Sequence, residues 1–172
     1  DGKIWGGEFL LCDYSSFRRV GHLNYVSLPG GDKAATEPWR MAVSYLYKVG
    51  IELDAVKLAG LKEEKWEVII SMLEENFNCP ETSSLGRLFA AVSALLGLCK
   101  TRTYQPQAAV KLETAAFSAE ANSCYPYQIN YRAGKSLVDT DEIIVKLVED
   151  REAGLSTRVI ARKFHNTVID FA

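Results

Sequence analysis

The sequence predicts a helix-rich α/β fold, and three observations carry that expectation. Apolar residues recur at i, i+3, i+4 and i+7 through several long segments, the pattern of helices with one buried face. Shorter runs near the start and around residues 125–131 are apolar or alternating and bounded by turn residues, as strands are. The 172 residues are 48% hydrophobic and 24% charged, with no repeat, low-complexity tract or interdomain linker, so 1–172 is expected to be one domain or a fragment of one.

The elements follow in order. Glu8 to Asp13 and Leu23 to Leu28 read as short strands joined by SSFRRVGH. Thr36 or Glu37 caps a helix with Pro38 in its first turn and Trp39, Val43 and Leu46 on one face, and Gly50 stops it. A helix from Leu61 to about Phe77 puts Trp66, Ile69, Ile70 and Leu73 on one stripe. Ser83 or Ser84 caps the clearest helix, where Leu85, Leu88, Phe89, Val92, Leu95 and Leu96 keep the helical spacing. Gln107 to Phe117 forms a shorter one. In NSCYPYQINYR the alternation of Tyr125, Tyr127, Ile129 and Tyr131 predicts a strand, and Ser136 to Val138 a partner beyond a turn at 132–134. Asp139 or Thr140 opens a helix with Glu142 placed for a capping box, and Gly154 ends it. Ser156 or Thr157 caps the last helix, with Val159, Ile160, Phe164 and Val168 in line.

Composition excludes several classes. A formal charge of −2 argues against a general nucleic-acid footprint. No apolar run approaches the roughly 18 residues that cross a bilayer, and no charged segment followed by an apolar core opens the chain. The expected setting is cytoplasmic, with neither nucleic acid nor membrane as partner. Cys12, Cys79, Cys99 and Cys124 are scattered without a CxxC pair, so buried, reduced thiols are expected. His22 and His165 are too few for a self-contained transition-metal site.

Ligand chemistry is suggested most strongly by the first forty residues. Gly6 and Gly7 run into Glu8, and Gly30 and Gly31 sit in a PGGD turn before a helix. Glycine lets backbone approach a ligand closely, so WGGE either offers amides to a phosphate and Glu8 to a ribose hydroxyl, or is simply a strand entered through a glycine turn. Arg18 and Arg19 either neutralise phosphate or are solvated. In SSLGRLF, Gly86 and Arg87 stand at a helix start, a favourable place for an anion; the competing reading is a small contact residue on a capped core helix. No GxxxxGK[ST], GxGxxG, HExxH or GxSxG motif is present.

WGGEFL, LPGGDKAxxEPWRMA, TSSLGRLFxAVSALLGL, QAAxxLE, YPYQI and IARKFHNT occur in that order. Together they resemble the carboxy-terminal carbamoyltransferase region of the hydrogenase-maturation carbamoyltransferases and, more distantly, the enzymes that make threonylcarbamoyladenosine in tRNA. The resemblance implies an actin-like or Hsp70-like ATPase lobe with ribonuclease-H-type strands and inserted helices. It also implies an enzyme that forms carbamoyl-adenylate from carbamoyl phosphate and ATP. Such an enzyme passes the carbamoyl group to the C-terminal cysteine thiol of a partner protein in nickel–iron hydrogenase maturation. By this likeness Gly6, Gly7 and Glu8 sit at the nucleotide, Gly30 and Gly31 form a neighbouring turn, and Arg87 lies on the helix bordering the pocket.

The chain also departs from the family pattern. Ala90 stands where the family usually has Asp in GRLFDA, and Gln105-Pro106 stands where it usually has Glu-Gly. The family's upstream histidine-rich metal motif and downstream SGGVFQN-type loop are not in this sequence. The expectation is therefore an internal piece that is inactive alone and lacks metal ligands, with a non-catalytic interaction module as the alternative. Sheet edges left open in such a piece are expected to favour a homodimer.

Overall fold

The computed structural model describes residues 2–52, 63–117 and 119–172. Strand β1 (Glu8–Cys12) and β2 (Phe17–Leu23) form an antiparallel hairpin. β6 (Lys135–Asp139) runs parallel to β2, with Gly21 opposite Ser136, and β5 (Gln128–Arg132) pairs antiparallel to β6. The sheet order is β1-β2-β6-β5. A second ladder joins β3 (Val26–Ser27) to β4 (Glu81–Thr82), and Ile4 adds a parallel bridge to Thr82.

SSFRRVGH is mostly strand rather than connection. Asp13 makes the hairpin turn, its Oδ1 accepting from the amides of Ser15 and Ser16, each at 2.8 Å. Those hydrogen bonds, with the two serine hydroxyls, hold its carboxyl down at about 2. From Phe17 onward the inward positions are Arg19, Gly21 and Leu23. A buried arginine in an inward position hides the alternation that marks a half-buried strand.

Seven helices are described. They are α1 (Asp32–Thr36), α2 (Pro38–Lys48), α3 (Glu63–Glu74), α4 (Leu85–Leu95), α5 (Gln107–Phe117), α6 (Asp141–Glu152) and α7 (Thr157–Phe171). Their apolar stripes meet in one core containing Met41, Leu46, Ile69, Leu88, Leu95, Leu112, Ile143, Leu147 and Phe164. Each such side chain, fully buried, contributes about 1.5–3 kcal/mol. Residues 61 and 62 of the expected third helix lie outside the described residues.

Three local expectations change. The strand expected across residues 122–132 is confined to β5, because Tyr125 and Tyr127 are anchored to α7 instead. The Tyr125 amide donates to Thr167 Oγ1 at 2.7 Å, and the Tyr127 hydroxyl donates to Asp170 at 2.8 Å. No capping box opens α6, since the Thr140 hydroxyl donates to Asn24 Oδ1 at 2.8 Å and Asp139 takes the Asp141 amide at 3.0 Å. Only Cys79 and Cys99 are buried thiols; Cys12 and Cys124 are exposed, on the hairpin and in the extended segment before β5. Ser156 caps α7 as expected, its hydroxyl accepting from the Val159 amide.

Candidate ligand-binding site

The WGGE turn is packed onto the start of α4. The Ile4 amide donates to Glu81 O, the Ser83 amide to Ile4 O, and the Leu85 amide to Gly6 O at 3.1 Å. Gly6 thus satisfies one of the amides that a helix start leaves without an intrahelical partner. Glu8 folds back over the turn. Its Oε2 accepts from the amides of Gly6 and Gly7 at 2.5 and 2.9 Å, and its Oε1 accepts from Arg19 Nη2 at 2.8 Å and from the Ser83 hydroxyl. The Glu8 and Arg19 side chains are only 7% and 4% exposed. Arg19 also donates to the Tyr25 hydroxyl at 2.9 Å and lies over the Trp5 ring, 4.2 Å from its centroid.

This arrangement accounts for the glycines of WGGE by contacts within the protein. A Cβ on Gly7 would lie 2.3 Å from the Ser83 carbonyl oxygen, and one on Gly6 would lie 2.8 Å from Ser84 Oγ. Both glycines are demanded by the approach of the turn to α4. Their amides, which one of the two readings offers to a phosphate, donate to the Glu8 carboxylate. Arg19 is an internal counter-ion, while Arg18 is exposed.

Gly30 and Gly31 belong to the other end of the β3–β4 ladder. The Gly30 amide donates to Asn78 O at 2.9 Å, whereas the WGGE turn lies beside residues 81–85. Both PGGD glycines have positive φ, 84° and 54°, which explains glycine at each. A Cβ on Gly30 would meet Arg40 Nη1 at 3.0 Å. The two glycine turns therefore share a ladder but not one wall.

Arg87, one turn into α4, is half-buried, and its Nη1 is enclosed without a hydrogen-bond partner among the described residues. Burial, and then the neighbouring Arg102 charge, pushes its guanidinium below the ordinary value, with Tyr45 opposing. Arg102 carried no local signal in the sequence. Its amide donates to Thr36 O at 3.0 Å and its Nη1 to Gln105 O at 2.7 Å. Ala90 is buried in a small apolar cluster with Cys99 and Ala108. Pro106 stands just before α5, where its fixed φ suits a helix start and its carbonyl takes the Val110 amide at 2.9 Å.

The histidines are structural. His165 Nδ1 lies 2.8 Å from Ala161 O and its ring packs edge-on against Phe89; His22 Nδ1 lies 2.7 Å from Leu23 O. Among the described residues no group of His, Cys, Asp and Glu could hold a metal ion, and no helix is long and apolar enough to cross a membrane.

The mixed sheet flanked by helices superposes on solved HypF structures, and by that match the chain is part of a domain of the actin-like and Hsp70-like class. Over residues 1–172 the chain matches the family model "Carbamoyltransferase, Kae1-like Domain, second subdomain", and it belongs to that family, the HypF carbamoyltransferases. It is 40% identical over 154 residues to a probable carbamoyltransferase HypF of Methanocaldococcus jannaschii, covering 87% of this chain and 19% of that protein. It is 34% identical over 170 residues to the carbamoyltransferase HypF of Rhizobium leguminosarum, covering 98% of this chain and 21% of the relative. A crystal structure of full-length HypF in the phosphate- and nucleotide-bound form superposes with a TM-score of 0.88 at 32% identity, over 99% of this chain and 26% of that one. HypF of T. kodakarensis gives 0.80 at 28% identity, over 95% and 22%. The chain thus spans about a quarter or less of these relatives.

Proposed function

We propose that this chain is one part of a larger carbamoyltransferase, and that it supplies a helical wall of the site where ATP and carbamoyl phosphate are used. In that reading the whole enzyme makes carbamoyl-adenylate and delivers the carbamoyl group to the C-terminal cysteine of a hydrogenase-maturation protein in the cytoplasm. The observation carrying the reading is the near-complete superposition on a HypF solved with phosphate and nucleotide bound.

The residues fit an anionic ligand unevenly. The unmet nitrogen of Arg87 suits one, whereas the Gly6 and Gly7 amides are already held by Glu8. We therefore assign Arg87 to direct contact with the nucleotide's charged end. Gly6, Gly7 and Glu8 set the turn that fixes the start of α4, and Gly30 and Gly31 shape an adjoining edge. ATP would supply the adenylyl group, with pyrophosphate leaving; this chain supplies position and positive charge.

The test is a chimera in which this chain replaces the matching segment of the Methanocaldococcus jannaschii HypF. Carbamoyl-phosphate-dependent ATP turnover is expected in the chimera, while the isolated chain binds ATP and magnesium weakly or not at all by calorimetry. Robust carbamoyl-phosphate-dependent ATP hydrolysis by the isolated chain would sink the part-of-an-enzyme reading. A folded but inactive chimera would favour the second reading, a non-catalytic interaction module. Ala90, enclosed with Cys99 and Ala108 where a carboxylate is usual, is the observation behind that alternative.

The isolated chain is also expected to self-associate through its outer strands. β1 carries Leu10 and Leu11 exposed, Phe17 follows across the hairpin, and β5 exposes Ile129 and Tyr131. Sedimentation velocity should show a concentration-dependent dimer that Leu11→Lys weakens. A strictly monomeric profile at all concentrations would reject this.

A further inference from the structure

We propose that the outer edge of β1 is the docking site for an apolar strand from the rest of the parent carbamoyltransferase polypeptide. This rests on reading the chain as part of a larger enzyme, and it concerns how that enzyme is held together rather than what it binds.

β1 ends the sheet order β1-β2-β6-β5, so among the described residues no strand pairs with its far side. Such an edge presents free amides and carbonyls, and proteins usually blunt it with charge, proline or a bulge. β1 has a bulge between Phe9 and Leu10, but beyond it Leu10, Leu11 and Cys12 keep regular register with Arg19, Arg18 and Phe17. No charge or proline interrupts Phe9 to Cys12. β5, at the other end of the sheet, alternates Gln128, Asn130 and Arg132 with Ile129 and Tyr131, as a strand with one wet face does. β1 does not alternate. Successive side chains of a strand point to opposite faces, so Leu10 and Leu11, 46% and 60% exposed, put apolar surface on both. A continuous apolar run is the mark of an interior strand covered on both faces.

The surroundings set what would cover it. Trp5, Leu10, Cys12 and Phe17 line an open cavity of about 460 Å³ at the hairpin. Trp5 is held over the Arg19 guanidinium, and Arg19 by Glu8, so this apolar wall is fixed before anything docks. A strand laid along β1 makes its backbone hydrogen bonds to the open edge. Its side chains fall beside Leu10 on one face and Leu11 on the other, so they must be apolar.

The source follows from tethering. The chain covers 26% of a full-length HypF, so most of such a polypeptide lies outside it. A segment joined to the same chain meets β1 at an effective concentration on the order of millimolar, far above that of a second copy in dilute solution. The tethered strand therefore takes the edge first, and a second copy takes it only when that strand is missing.

Cys12, exposed on β1, reports the edge directly. The chimera with the Methanocaldococcus jannaschii HypF and the dilute 172-residue chain would be labelled with iodoacetamide, and hydrogen exchange of the Glu8–Cys12 amides followed by mass spectrometry. In the chimera, Cys12 labelling and that exchange are each expected to slow about tenfold or more, as covered and paired groups do. Leu10→Lys and Leu11→Lys should restore fast labelling in the chimera and lower its melting temperature, while barely changing that of the dilute isolated chain. If the chimera does not fold, a cysteine placed at the position matching Cys12 in the Rhizobium leguminosarum HypF, whose match covers 98% of this chain, carries the comparison. Equal labelling of Cys12 in the folded chimera and the dilute chain overturns the proposal. Protection found only in the concentrated isolated chain, and not in the chimera, overturns it too and assigns the edge to a second copy. A chimera active in carbamoyl-phosphate-dependent turnover but with fast Cys12 labelling defeats the docking alone; an inactive one with Cys12 protected defeats the enzyme reading alone.

Discussion

Glu8→Ala is expected to destabilise the fold by about 3–5 kcal/mol, the usual cost of removing one member of a buried ion pair. The carboxylate takes four donors at once: the amides of Gly6 and Gly7, the Arg19 guanidinium and the Ser83 hydroxyl. Removing it takes the acceptor from Arg19 Nη2, on a side chain that is 4% exposed. Domains of this size are stable by about 5–15 kcal/mol, so the loss is a large fraction of the whole. Urea denaturation measures it as a fall in midpoint. Glu8→Gln should recover only part, because the amide's NH₂ presents a donor where backbone amides and a guanidinium already donate. If Glu8 served only to hold a ribose hydroxyl, Glu8→Ala would stay within about 0.5 kcal/mol of the parent, as ordinary surface changes do. That outcome would return WGGE to the ligand-facing reading.

The same cluster shows what the sequence could and could not disclose. The helices were legible because their spacing is an intrinsic property of each segment. Leu85, Leu88, Val92 and Leu95 keep their stripe whatever they pack against, and α4 and α5 begin at the residues that stripe and the flanking turns indicate. The stretch from Phe17 to Leu23 was hidden because its inward arginine is tolerable only beside Glu8, eleven residues earlier, on a paired strand. α6 opens at Thr140 as expected, but its capping box is absent for a similar reason: the Thr140 hydroxyl is spent on Asn24, 116 residues away. Tyr125 and Tyr127 alternate as strand residues do, yet their partners are on α7.

The candidate site divides along the same line. Gly6, Gly7 and Glu8 are held against the start of α4 by the packing of the turn, whereas the charged and titratable neighbours of Arg87 are Arg102 and Tyr45. Gly30 and Gly31, expected from the resemblance in a neighbouring turn, lie at the other end of the β3–β4 ladder from Gly6 and Gly7. The ladder register separates them. Arg102 had no motif at all; only the small cluster of Ala90, Cys99 and Ala108 brings its segment to α4.

Two alanine substitutions at neighbouring glycines should move stability in opposite directions. Gly7→Ala places a methyl 2.3 Å from the Ser83 carbonyl oxygen and 2.9 Å from the Leu23 side chain. The leucine can rotate, but the carbonyl belongs to backbone fixed by the Ile4 and Glu8 hydrogen bonds to Ser83. Relief therefore requires moving the turn off α4, which also breaks the Gly6-to-Leu85 cap. A cost of about 3 kcal/mol or more is expected, the upper end of overpacking losses. Gly86→Ala meets only Ser84 Oγ at ordinary contact distance and lies within α4 at an exposed position. There the gain in helix propensity should stabilise by up to about 1 kcal/mol. Paired urea melts of the two variants decide the matter. A destabilised Gly86→Ala would mean that the fold itself demands glycine at that position, and the case for ligand approach beside Arg87 would lose its support. A stabilised Gly86→Ala leaves glycine there unexplained by folding, which is the pattern expected where the backbone is kept bare for something other than the protein's own core.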